Sequence, residues 1–314
     1  MLVQVLSHYR RVIMKNILVI GSINMDMVIN TPVLPKLGET LIGNGFMTSG
    51  GGKGANQATA IAKINGSTNM IGAVGNDEFG KSLKANLQSY GVNTDGIAEI
   101  ECNTGVAVIT VCNGDNHIIV DMGANSRVTP EIIDRNIDLV KQADIVVMQL
   151  EIPMDTVVYA ARRTREFGGK VLLNPAPAAK LPGELLQNVD ILVPNEHEAE
   201  IITGTSDMNE AIDILRRSGV GQVIITLGSE GSMYTDSDSV QKCPAFKTRA
   251  VDTTAAGDTF IGAYCAAVCD GMSTGEAVKF ASLASSITVA RRGAAASIPT
   301  MDEILAKKGD VNGD

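Results

Sequence analysis

The stretch VDTTAAGDTFIGAY, residues 251–264, is the most informative part of this sequence. Three small residues at 255–257 precede the carboxylate of Asp258, and an apolar run typical of a helix follows as far as Cys269. Small residues just before a helix let a ligand reach the free backbone N–H groups of its first turn. Because these groups and the helix dipole attract negative charge, the pattern predicts an anion-binding helix start.

The carboxylate of Asp258 is unexpected in an anion-binding turn, and one function accounts for both features. Asp258 would take a proton from a substrate hydroxyl while the N–H groups stabilise a phosphoryl group during its transfer. The alternative is a first-turn acid that only complements the helix dipole. The other motifs of the chain favour phosphoryl transfer.

The composition argues against several classes of protein. With 314 residues, of which 45% are hydrophobic, the chain suits one large α/β domain or two smaller ones. The net charge is -9, aromatic residues make up 4% and tryptophan is absent, so we expect neither a nucleic-acid-binding nor a membrane-surface protein. Five cysteines without metal-binding spacing predict reduced thiols and a cytoplasmic location.

The order of apolar and polar segments predicts a mainly parallel sheet. Short β-branched runs alternate with helix-length segments, which is typical of βαβ units. The predicted strands are residues 17–20, 69–74, 145–150, 171–173, 191–193 and 223–227. The predicted helices are residues 54–64, 81–90, 154–167, 209–218, 259–269 and 276–290.

Two stretches, residues 24–50 and 96–122, interrupt this alternation. The second contains VAVITVC at 106–112 and HIIV at 117–120, and the intervening NGDN is a strong hairpin signal. Neither stretch has room for a helix between its strands. We therefore expect both to form antiparallel pieces of one small sheet that acts as a lid.

The two ends of the chain are expected to add little to the fold. Residues 1–14 have neither the long apolar core nor the cleavage site of a signal peptide, and we predict a disordered N-terminal extension or translation from an upstream start codon. The globular pattern begins at Lys15, so residues 15–309 are predicted to form the α/β domain. No apolar run is long enough to predict a membrane span.

The glycine-rich loop GGGKGAN, residues 50–56, runs straight into a predicted helix. Consecutive glycines let the backbone approach a ligand closely, and Lys53 and Asn56 would add polar contacts. The loop is equally compatible with a flexible joint, and it lacks the spacing of a dinucleotide-binding motif.

The loop GNDEFGKS, residues 75–82, matches the phosphate-binding P-loop pattern letter for letter. Its interior, however, holds Asp77 and Glu78, which would repel a polyphosphate at the place where a P-loop wraps it. We therefore predict that Gly80 and Lys81 begin an ordinary surface helix.

Two polar clusters follow predicted strands, at the strand ends where open α/β sheets bind their ligands. In PNEHEAE, residues 194–200, Asn195 and Glu198 offer oxygen atoms that suit Mg²⁺ bound through water, although they could also form an acidic helix start. In TLGSEG, residues 226–231, the glycines could admit a nucleotide or simply turn the chain.

Seven separated segments together resemble the phosphofructokinase-B type carbohydrate kinases, in their ribokinase branch. They occur in the family's order, and the resemblance extends from about Lys15 to the last helix. The segments are GSINMD (21–26), GGKGANQA (51–58), MQLE (148–151), NPAP (174–177), PNEHEAE (194–200), ITLGSEG (225–231) and DTTAAGD (252–258). The resemblance implies a ribokinase-like, three-layer α/β/α fold with a mainly parallel central sheet and a small β-sheet lid.

The resemblance also implies roles for individual residues. Asp258 corresponds to the catalytic base, and the anion hole corresponds to Ala255, Ala256 and Gly257. The sugar contacts correspond to Asn24, Asp26, Gly52, Lys53, Asn56 and Glu151. The nucleotide contacts correspond to Asn195, Thr226, Gly228, Gly231, Gly257 and Ser282, the last at a position where many relatives have His or Asn. Glu198 resembles the acid that organises Mg²⁺, and the monovalent cation site of ribokinases corresponds to Asp252, Thr254, Thr288, Arg291, Gly293 and Ser297.

The resulting hypothesis is ATP-dependent phosphorylation of D-ribose at its 5-hydroxyl, with Mg²⁺ and K⁺ as cofactors and a homodimer formed through the lid. Within the family, the alternatives are a kinase for another small sugar and a nucleoside kinase. A nucleoside would need an apolar or aromatic shelf, which this aromatic-poor chain does not favour. Outside the family, the alternatives are a non-catalytic sugar-binding regulator and a P-loop ATPase.

Overall fold

The computed structural model describes residues 16–113, 115–237 and 239–311, and the predicted extension at residues 1–14 lies outside them. The strands are β1 (Ile17–Ile20), β2 (Asn24–Thr31), β3 (Asn44–Gly51), β4 (Thr68–Gly75), β5 (Val92–Ile100), β6 (Gly105–Cys112), β7 (Asp115–Asp121), β8 (Ile145–Met148), β9 (Lys170–Leu173), β10 (Ile191–Leu192), β11 (Gln222–Thr226), β12 (Ser232–Asp236) and β13 (Ser239–Cys243). The helices are α1 (Lys53–Asn65), α2 (Glu78–Ser89), α3 (Pro130–Arg135), α4 (Ile137–Gln142), α5 (Met154–Glu166), α6 (Gly183–Gln187), α7 (Glu196–Thr203), α8 (Met208–Arg217), α9 (Ala256–Cys269), α10 (Thr274–Thr288) and α11 (Met301–Val311). Among these described residues, no helix combines the length and apolar character needed to cross a bilayer.

Nine strands of the described chain form one large sheet in the order β13-β12-β11-β10-β9-β8-β1-β4-β5. The pairs from β5 across to β11 are parallel, whereas β12 and β13 add an antiparallel edge. The central strands are short apolar runs because helices cover both faces of a parallel sheet. The predicted mainly parallel sheet is therefore confirmed.

Helices cover both faces of this sheet. Ile17 and Val19 of β1 belong to a core that includes α1, α2, α9, α10 and α11. Leu18 and Ile20 of the same strand belong to a second core, formed with α3 to α8. Alternate side chains of one strand thus enter opposite cores, as the two-residue period of a strand requires. This arrangement is the three-layer α/β/α fold that the resemblance implies.

The second sheet is the lid, with the order β3-β2-β6-β7 among the described residues. Strands β2 and β3 pair antiparallel, as do β6 and β7, in agreement with the hairpin signal. A parallel pairing of β2 with β6 joins the two pieces and places Asn24 opposite Gly105. The small sheet is confirmed, but the expected antiparallel pairing holds only within each piece.

The predicted start of the second lid segment, at residue 96, is wrong. Residues 96–100 belong to β5, which pairs with β4 at the edge of the main sheet. Gly96 approaches β4 so closely that a Cβ atom there would lie 2.7 Å from the carbonyl oxygen of Met70. The lid strands of this segment begin at Gly105.

The glycines at positions 51, 52 and 54 allow the start of α1 to lie directly against the chain that follows β1. A Cβ atom on Gly54 would lie 2.5 Å from the backbone nitrogen of Ser22, and one on Gly52 would lie 2.8 Å from that of Asn24. Gly52 also has a φ of 88°, in the left-handed region that favours glycine. The sequence predicts that these glycines let the backbone approach a ligand. In the structure, they let the start of α1 approach the backbone that follows β1.

Gly54→Ala is expected to destabilise the protein by about 1–3 kcal/mol, because the added methyl group would overlap rigid backbone. This loss exceeds the gain of about 1 kcal/mol that alanine brings to a helix interior. Urea unfolding measures the change in the free energy of unfolding. Gly183→Ala is the control, since a Cβ atom there meets no heavy atom within 4 Å. A neutral Gly54→Ala would contradict the packing described.

Candidate active site

Polar residues converge where four parallel strands end. The segments that follow β1, β8, β9 and β10 carry Ser22, Glu151, Asn174 and Asn195. The first turns of α1 and α9 bring Lys53 and Asp258 to the same place. Ligands of open α/β sheets usually bind at the carboxyl ends of the strands, so this position is the candidate active site.

The first turn of α9 leaves backbone N–H groups open. The N–H of Ala256 donates to the carbonyl oxygen of Thr253 at 3.2 Å, and the next N–H group with an internal partner is that of Thr259. Between them, the N–H groups of Gly257 and Asp258 donate to no acceptor within the described residues. Open N–H groups at a helix start bind anions, so this turn has the property that the sequence predicts for it.

Ala255, the residue before α9, has a left-handed backbone with a φ of 60°. For a residue with a Cβ atom this conformation costs about 1–2 kcal/mol. Ser285 of α10 donates its hydroxyl to the carbonyl oxygen of Ala256 at 2.9 Å and so holds the turn from the neighbouring helix. Strain of this kind is typical of turns that serve a site.

Asp258 is 8% exposed, and two side-chain amides of α1 hold its carboxyl group. Asn56 Nδ2 donates to Asp258 Oδ2 at 3.1 Å, and Gln57 Nε2 donates to Asp258 Oδ1 at 3.0 Å. Burial raises the pKa of Asp258 above its ordinary value, and Lys53 and the two amides oppose this shift. A carboxylate with a raised pKa is suited to accept a proton. The sequence analysis did not identify Gln57.

Lys53 supplies positive charge to the site. Burial lowers the pKa of its ammonium group, but the carboxylates of Asp258, Glu151 and Glu198 outweigh burial and raise that pKa above its ordinary value. The ammonium group therefore stays protonated. The backbone N–H of Lys53 donates to Glu151 Oε2 at 3.0 Å, which ties the start of α1 to the end of β8.

Asn24, at the start of β2, is held by a residue that the sequence analysis missed. Asn125 Nδ2 donates to Asn24 Oδ1 at 2.7 Å, and Asn125 Oδ1 accepts the N–H of Ile23 at 2.9 Å. Asn125 lies in the 3-10 helix Gly123–Arg127, directly after the lid. The predicted sugar residue Asn24 is thus oriented by the segment that follows the lid in the sequence.

Asp26 is buried on β2, and its side chain fills the space in which Gly51 would carry a Cβ atom. Burial raises the pKa of Asp26 from 3.8 to about 7, and the negative charges of Glu151 and Asp258 add to this effect. Asp26 therefore belongs to an acidic group that Lys53 faces. The structure brings together all the predicted sugar residues, namely Asn24, Asp26, Gly52, Lys53, Asn56 and Glu151.

Asn195 and Glu198 hold each other at the start of α7. Asn195 Oδ1 accepts the N–H of Glu198 at 2.8 Å, and Glu198 Oε2 accepts the N–H of Asn195 at 2.8 Å. This capping box is the acidic helix start that the sequence left open. Burial raises the pKa of Glu198, and its charge in turn raises the pKa of Lys53. A carboxylate held at this point and facing the site fits Mg²⁺ bound through water.

Thr226 and Gly228 lie beside this capping box. Thr226 forms an isolated parallel bridge with Asn195, so the ends of β10 and β11 remain adjacent. Gly228 has a φ of 53° and begins a short 3-10 helix. Three of the predicted nucleotide residues, Asn195, Thr226 and Gly228, therefore lie at or beside neighbouring strand ends.

Gly231 and Ser282 both lie close to the end of β13. A Cβ atom on Gly231 would lie 2.6 Å from the backbone nitrogen of Ala245. The Ser282 hydroxyl lies 4.0 Å from the sulfur of Cys243. Both residues thus have packing partners, and their predicted nucleotide contacts stay predictions.

Asp252 ties two loops together beside the first turn of α9. Its Oδ1 accepts the N–H of Thr254 at 2.9 Å, and its Oδ2 accepts the N–H of Gly293 at 3.0 Å. Burial raises the pKa of Asp252, but these hydrogen bonds outweigh burial and hold the pKa below its ordinary value. The charged carboxylate therefore fixes the spacing of the two loops.

The side chains of three other predicted cation residues are engaged within the protein. Thr288 Oγ1 lies 2.9 Å from Thr259 Oγ1, and Ser297 donates to a backbone carbonyl of its own loop at 2.7 Å. Arg291 pairs with Glu303 at 2.7 Å. The monovalent cation site that the resemblance implies stays a prediction.

The loop with the P-loop pattern, residues 75–82, forms the capped start of a surface helix. Asp77 Oδ1 accepts the N–H of Gly80 at 2.8 Å, and its Oδ2 accepts the N–H of Thr104 at 2.8 Å. Lys81 is exposed and pairs with Glu78 at 2.8 Å. The structure therefore has an ordinary helix start here, although α2 begins at Glu78 rather than at Gly80.

The sequence pattern of the pfkB family of carbohydrate kinases matches residues 14–301. This chain belongs to that family. The resemblance inferred from the seven segments is therefore confirmed, and the pfkB match covers both the main sheet and the lid.

Individual pfkB relatives match over nearly their whole length. A ribokinase of Lactococcus lactis is 39% identical over 295 residues, which cover 94% of this chain and 97% of that protein. A deoxyribokinase of Salmonella typhi is 38% identical over 296 residues, which cover 92% and 97%. The solved structure of an Arabidopsis thaliana ribokinase complexed with ribose and ATP has 34% identity and a TM-score of 0.88, and covers 93% of this chain and 98% of that one.

Asp26→Asn is expected to stabilise the ligand-free protein at high pH. Because the pKa of Asp26 is about 7 in the fold and 3.8 without it, the folded state binds more protons between these values. The stability of the parent protein therefore falls as pH rises, by an amount on the order of 4 kcal/mol above pH 7. Asparagine cannot ionise and escapes this loss.

Urea unfolding at about pH 5 and about pH 8 measures this effect, and the gain for Asp26→Asn should be larger at the higher pH. Asp95→Asn, at an exposed carboxylate, is the control and should show no such difference. A gain for Asp26→Asn that does not depend on pH would contradict the assignment.

Proposed function

We propose that this chain is an ATP-dependent ribokinase, which converts D-ribose and ATP to D-ribose 5-phosphate and ADP. The observation that carries the proposal is a buried carboxylate, Asp258, beside the open N–H groups of its own helix turn and facing the ammonium group of Lys53. Catalysis of phosphoryl transfer depends on positioning and on stabilisation of charge, which a base, an anion-binding turn and a positive charge at one point would supply. Membership of the pfkB family and similarity to a ribokinase that binds ribose and ATP support the proposal.

In the proposed reaction, Asp258 takes the proton of the 5-hydroxyl as that oxygen attacks the γ-phosphorus in line. The bond from the γ-phosphorus to the leaving oxygen of ADP breaks while the new bond forms. The backbone N–H groups of the turn that contains Ala255, Ala256 and Gly257 stabilise the charge of the transferred group. The lid excludes water, which would otherwise compete with the sugar as acceptor.

We propose Mg²⁺ and K⁺ as cofactors. Glu198 would hold Mg²⁺ through water, and this ion neutralises phosphate charge when it is bound with the nucleotide. Backbone oxygens of the two loops that Asp252 joins would hold K⁺. One of these loops leads directly into α9, so an ordered loop supports the position of the anion-binding turn.

The roles of the remaining site residues are also proposals. The sugar would contact Asn24, Asp26, Gly52, Lys53, Asn56 and Glu151, which lie around Asp258. The nucleotide would contact Asn195, Thr226, Gly228, Gly231, Gly257 and Ser282. The domain bounds at residues 15 and 309 and a cytoplasmic location likewise stay predictions.

A second candidate substrate is another small sugar. The similarity to a deoxyribokinase favours 2-deoxyribose for this alternative. A nucleoside is less favoured, since the chain has 4% aromatic residues and the residues around Asp258 are polar or charged.

Asp258→Asn is expected to lower kcat for ribose phosphorylation by about 100- to 10,000-fold, the usual effect of losing a general base. The KM for ribose should change less, because the other sugar contacts remain. ADP release with ribose, 2-deoxyribose and other pentoses measures both quantities. The same assay with K⁺ replaced by a bulky organic cation tests the cation proposal, which predicts lower activity without K⁺.

Lys81→Ala is the control for this assay, because Lys81 is exposed and belongs to a surface helix. It should keep parental activity. Near-normal turnover of Asp258→Asn would reject the proposed base. ADP release without sugar that Lys81→Ala abolishes would instead indicate a P-loop ATPase.

We propose that the lid forms the interface of a homodimer. Large apolar side chains are exposed there, including Phe46 (63%), Ile118 (55%) and Ile119 (76%). Clusters of exposed apolar residues are typical of protein–protein interfaces. The lid strands β3 and β7 that carry these residues lie at the two edges of the small sheet.

Ile119→Asp is expected to convert the dimer to a monomer, because it places a charge in the apolar interface. Analytical ultracentrifugation at several concentrations measures the association. Ile201→Asp is the control, since Ile201 is an exposed apolar residue on α7, outside the lid. A parent protein that is monomeric, or an Ile119→Asp variant that associates equally well, would reject this dimer.

A further inference from the structure

Four buried side-chain amides form a connected group beneath the carboxyl group of Asp258. They belong to Asn56, Gln57, Gln149 and Asn174, and none is more than 8% exposed. Gln57 lies at the centre. Its Nε2 donates to Asp258 Oδ1 at 3.0 Å and to Asn174 Oδ1 at 3.2 Å, and its Oε1 accepts from Gln149 Nε2 at 2.7 Å.

The direction of these hydrogen bonds is determined at both ends. An ionised Asp258 only accepts, so Gln57 must present its NH₂ group and turn its oxygen to Gln149. At the other end, Asn174 Nδ2 donates to the carbonyl oxygen of Val193 at 3.0 Å, which leaves the Asn174 oxygen to accept from Gln57. Rotating the Gln57 amide by half a turn would bring oxygen against oxygen at two places. The amide therefore has one orientation, and it serves the carboxylate.

Packing alone would not favour this group of amides. Gln149 Oε1 is buried and has no hydrogen-bond partner among the described residues. It also fills the space in which Gly21 would carry a Cβ atom. A buried acceptor without a partner costs free energy, which an apolar side chain at position 149 would avoid. Such a cost is typical of a residue that serves a site rather than stability.

We propose that Gln57 is a positioning residue for phosphoryl transfer, and that Gln149 and Asn174 hold its amide in the orientation that keeps Asp258 aimed at the substrate. The inference rests on the proposed function, in which Asp258 takes the proton of the substrate hydroxyl. Asn56 binds the other carboxylate oxygen at 3.1 Å. Because Asn56 and Gln57 of α1 each bind one oxygen of Asp258, its carboxyl group cannot rotate away from the substrate hydroxyl.

The pH dependence of kcat separates positioning from simple packing. A donor to Asp258 stabilises its charged form, so loss of the Gln57 amide raises the pKa of Asp258 and moves the acid limb of kcat to higher pH. A side chain that only fills space would change stability without moving this limb. The other charged groups that face Asp258 stay unchanged in the test; they are Lys53 of α1, Asp26 of β2, Glu151 after β8 and Glu198 of α7.

The experiment compares Gln57→Met, Gln149→Met and Gln222→Met in the full chain, with ribose and ATP as substrates. Gln222 is the matched control, because its amide also has several side-chain hydrogen bonds but lies at the opposite end of β11 from the site. We expect kcat to fall about 10- to 100-fold for Gln57→Met and about 3- to 10-fold for Gln149→Met, with the acid limb shifted upward in both. The KM for ribose should change by less than about threefold. Gln222→Met should lower the urea midpoint and leave kcat and the limb unchanged.

A Gln57→Met variant with parental kcat and acid limb overturns the inference. Equal losses of kcat in the Gln57 and Gln222 variants also overturn it, since that pattern indicates lost stability alone. If Gln57→Met does not fold, Gln149→Met decides the question, because the Gln149 amide donates only to Gln57 within the described chain. Asp258→Asn, assayed alongside, distinguishes the two proposals: normal turnover rejects the proposed function, whereas an inactive Asp258→Asn with parental glutamine variants rejects only the positioning.

Discussion

The need to keep a buried carboxylate charged governs the arrangement of this site. Burial raises the pKa of Asp258, and Lys53 and two amide side chains of α1 oppose that shift. All three opposing groups come from one helix, so α1 must lie very close to α9. Gly262 permits this approach, because a Cβ atom there would overlap the side chain of Ala60. The charged state of Asp258 therefore depends on close packing of α1 against α9 one helical turn beyond the carboxylate.

Parts of the fold with a local signature could be predicted from the sequence. β1 is a continuous apolar run, and the small residues before α9 mark its open first turn, so neighbouring residues carry the information in both cases. β5 could not be found in this way. Its sequence, VNTDGIAEI, mixes polar residues and a glycine because the strand lies at the edge of the main sheet and several of its side chains are exposed.

The same distinction applies to the candidate site. Lys53, Asn56 and Asp258 stand within motifs and could be predicted, whereas Gln57 and Asn125 could not. Gln57 meets Asp258 across 201 positions of the sequence, and Asn125 meets Asn24 across 101. Partners so far apart leave no local pattern. One signal did exist, since Gln57 follows Lys53 by four residues and therefore lies on the same face of α1.

Strand β2 belongs to both parts of the molecule. Asn24 and Asp26, near its start, are buried among the polar residues of the site, and the whole strand lies between β3 and β6 in the lid. Pairing with both neighbours holds the strand extended, apart from an irregularity in the pairing with β3 between Val28 and Asn30. The lid and two of the predicted sugar residues are thus parts of one strand, so a displacement of this lid strand would also move Asn24 and Asp26.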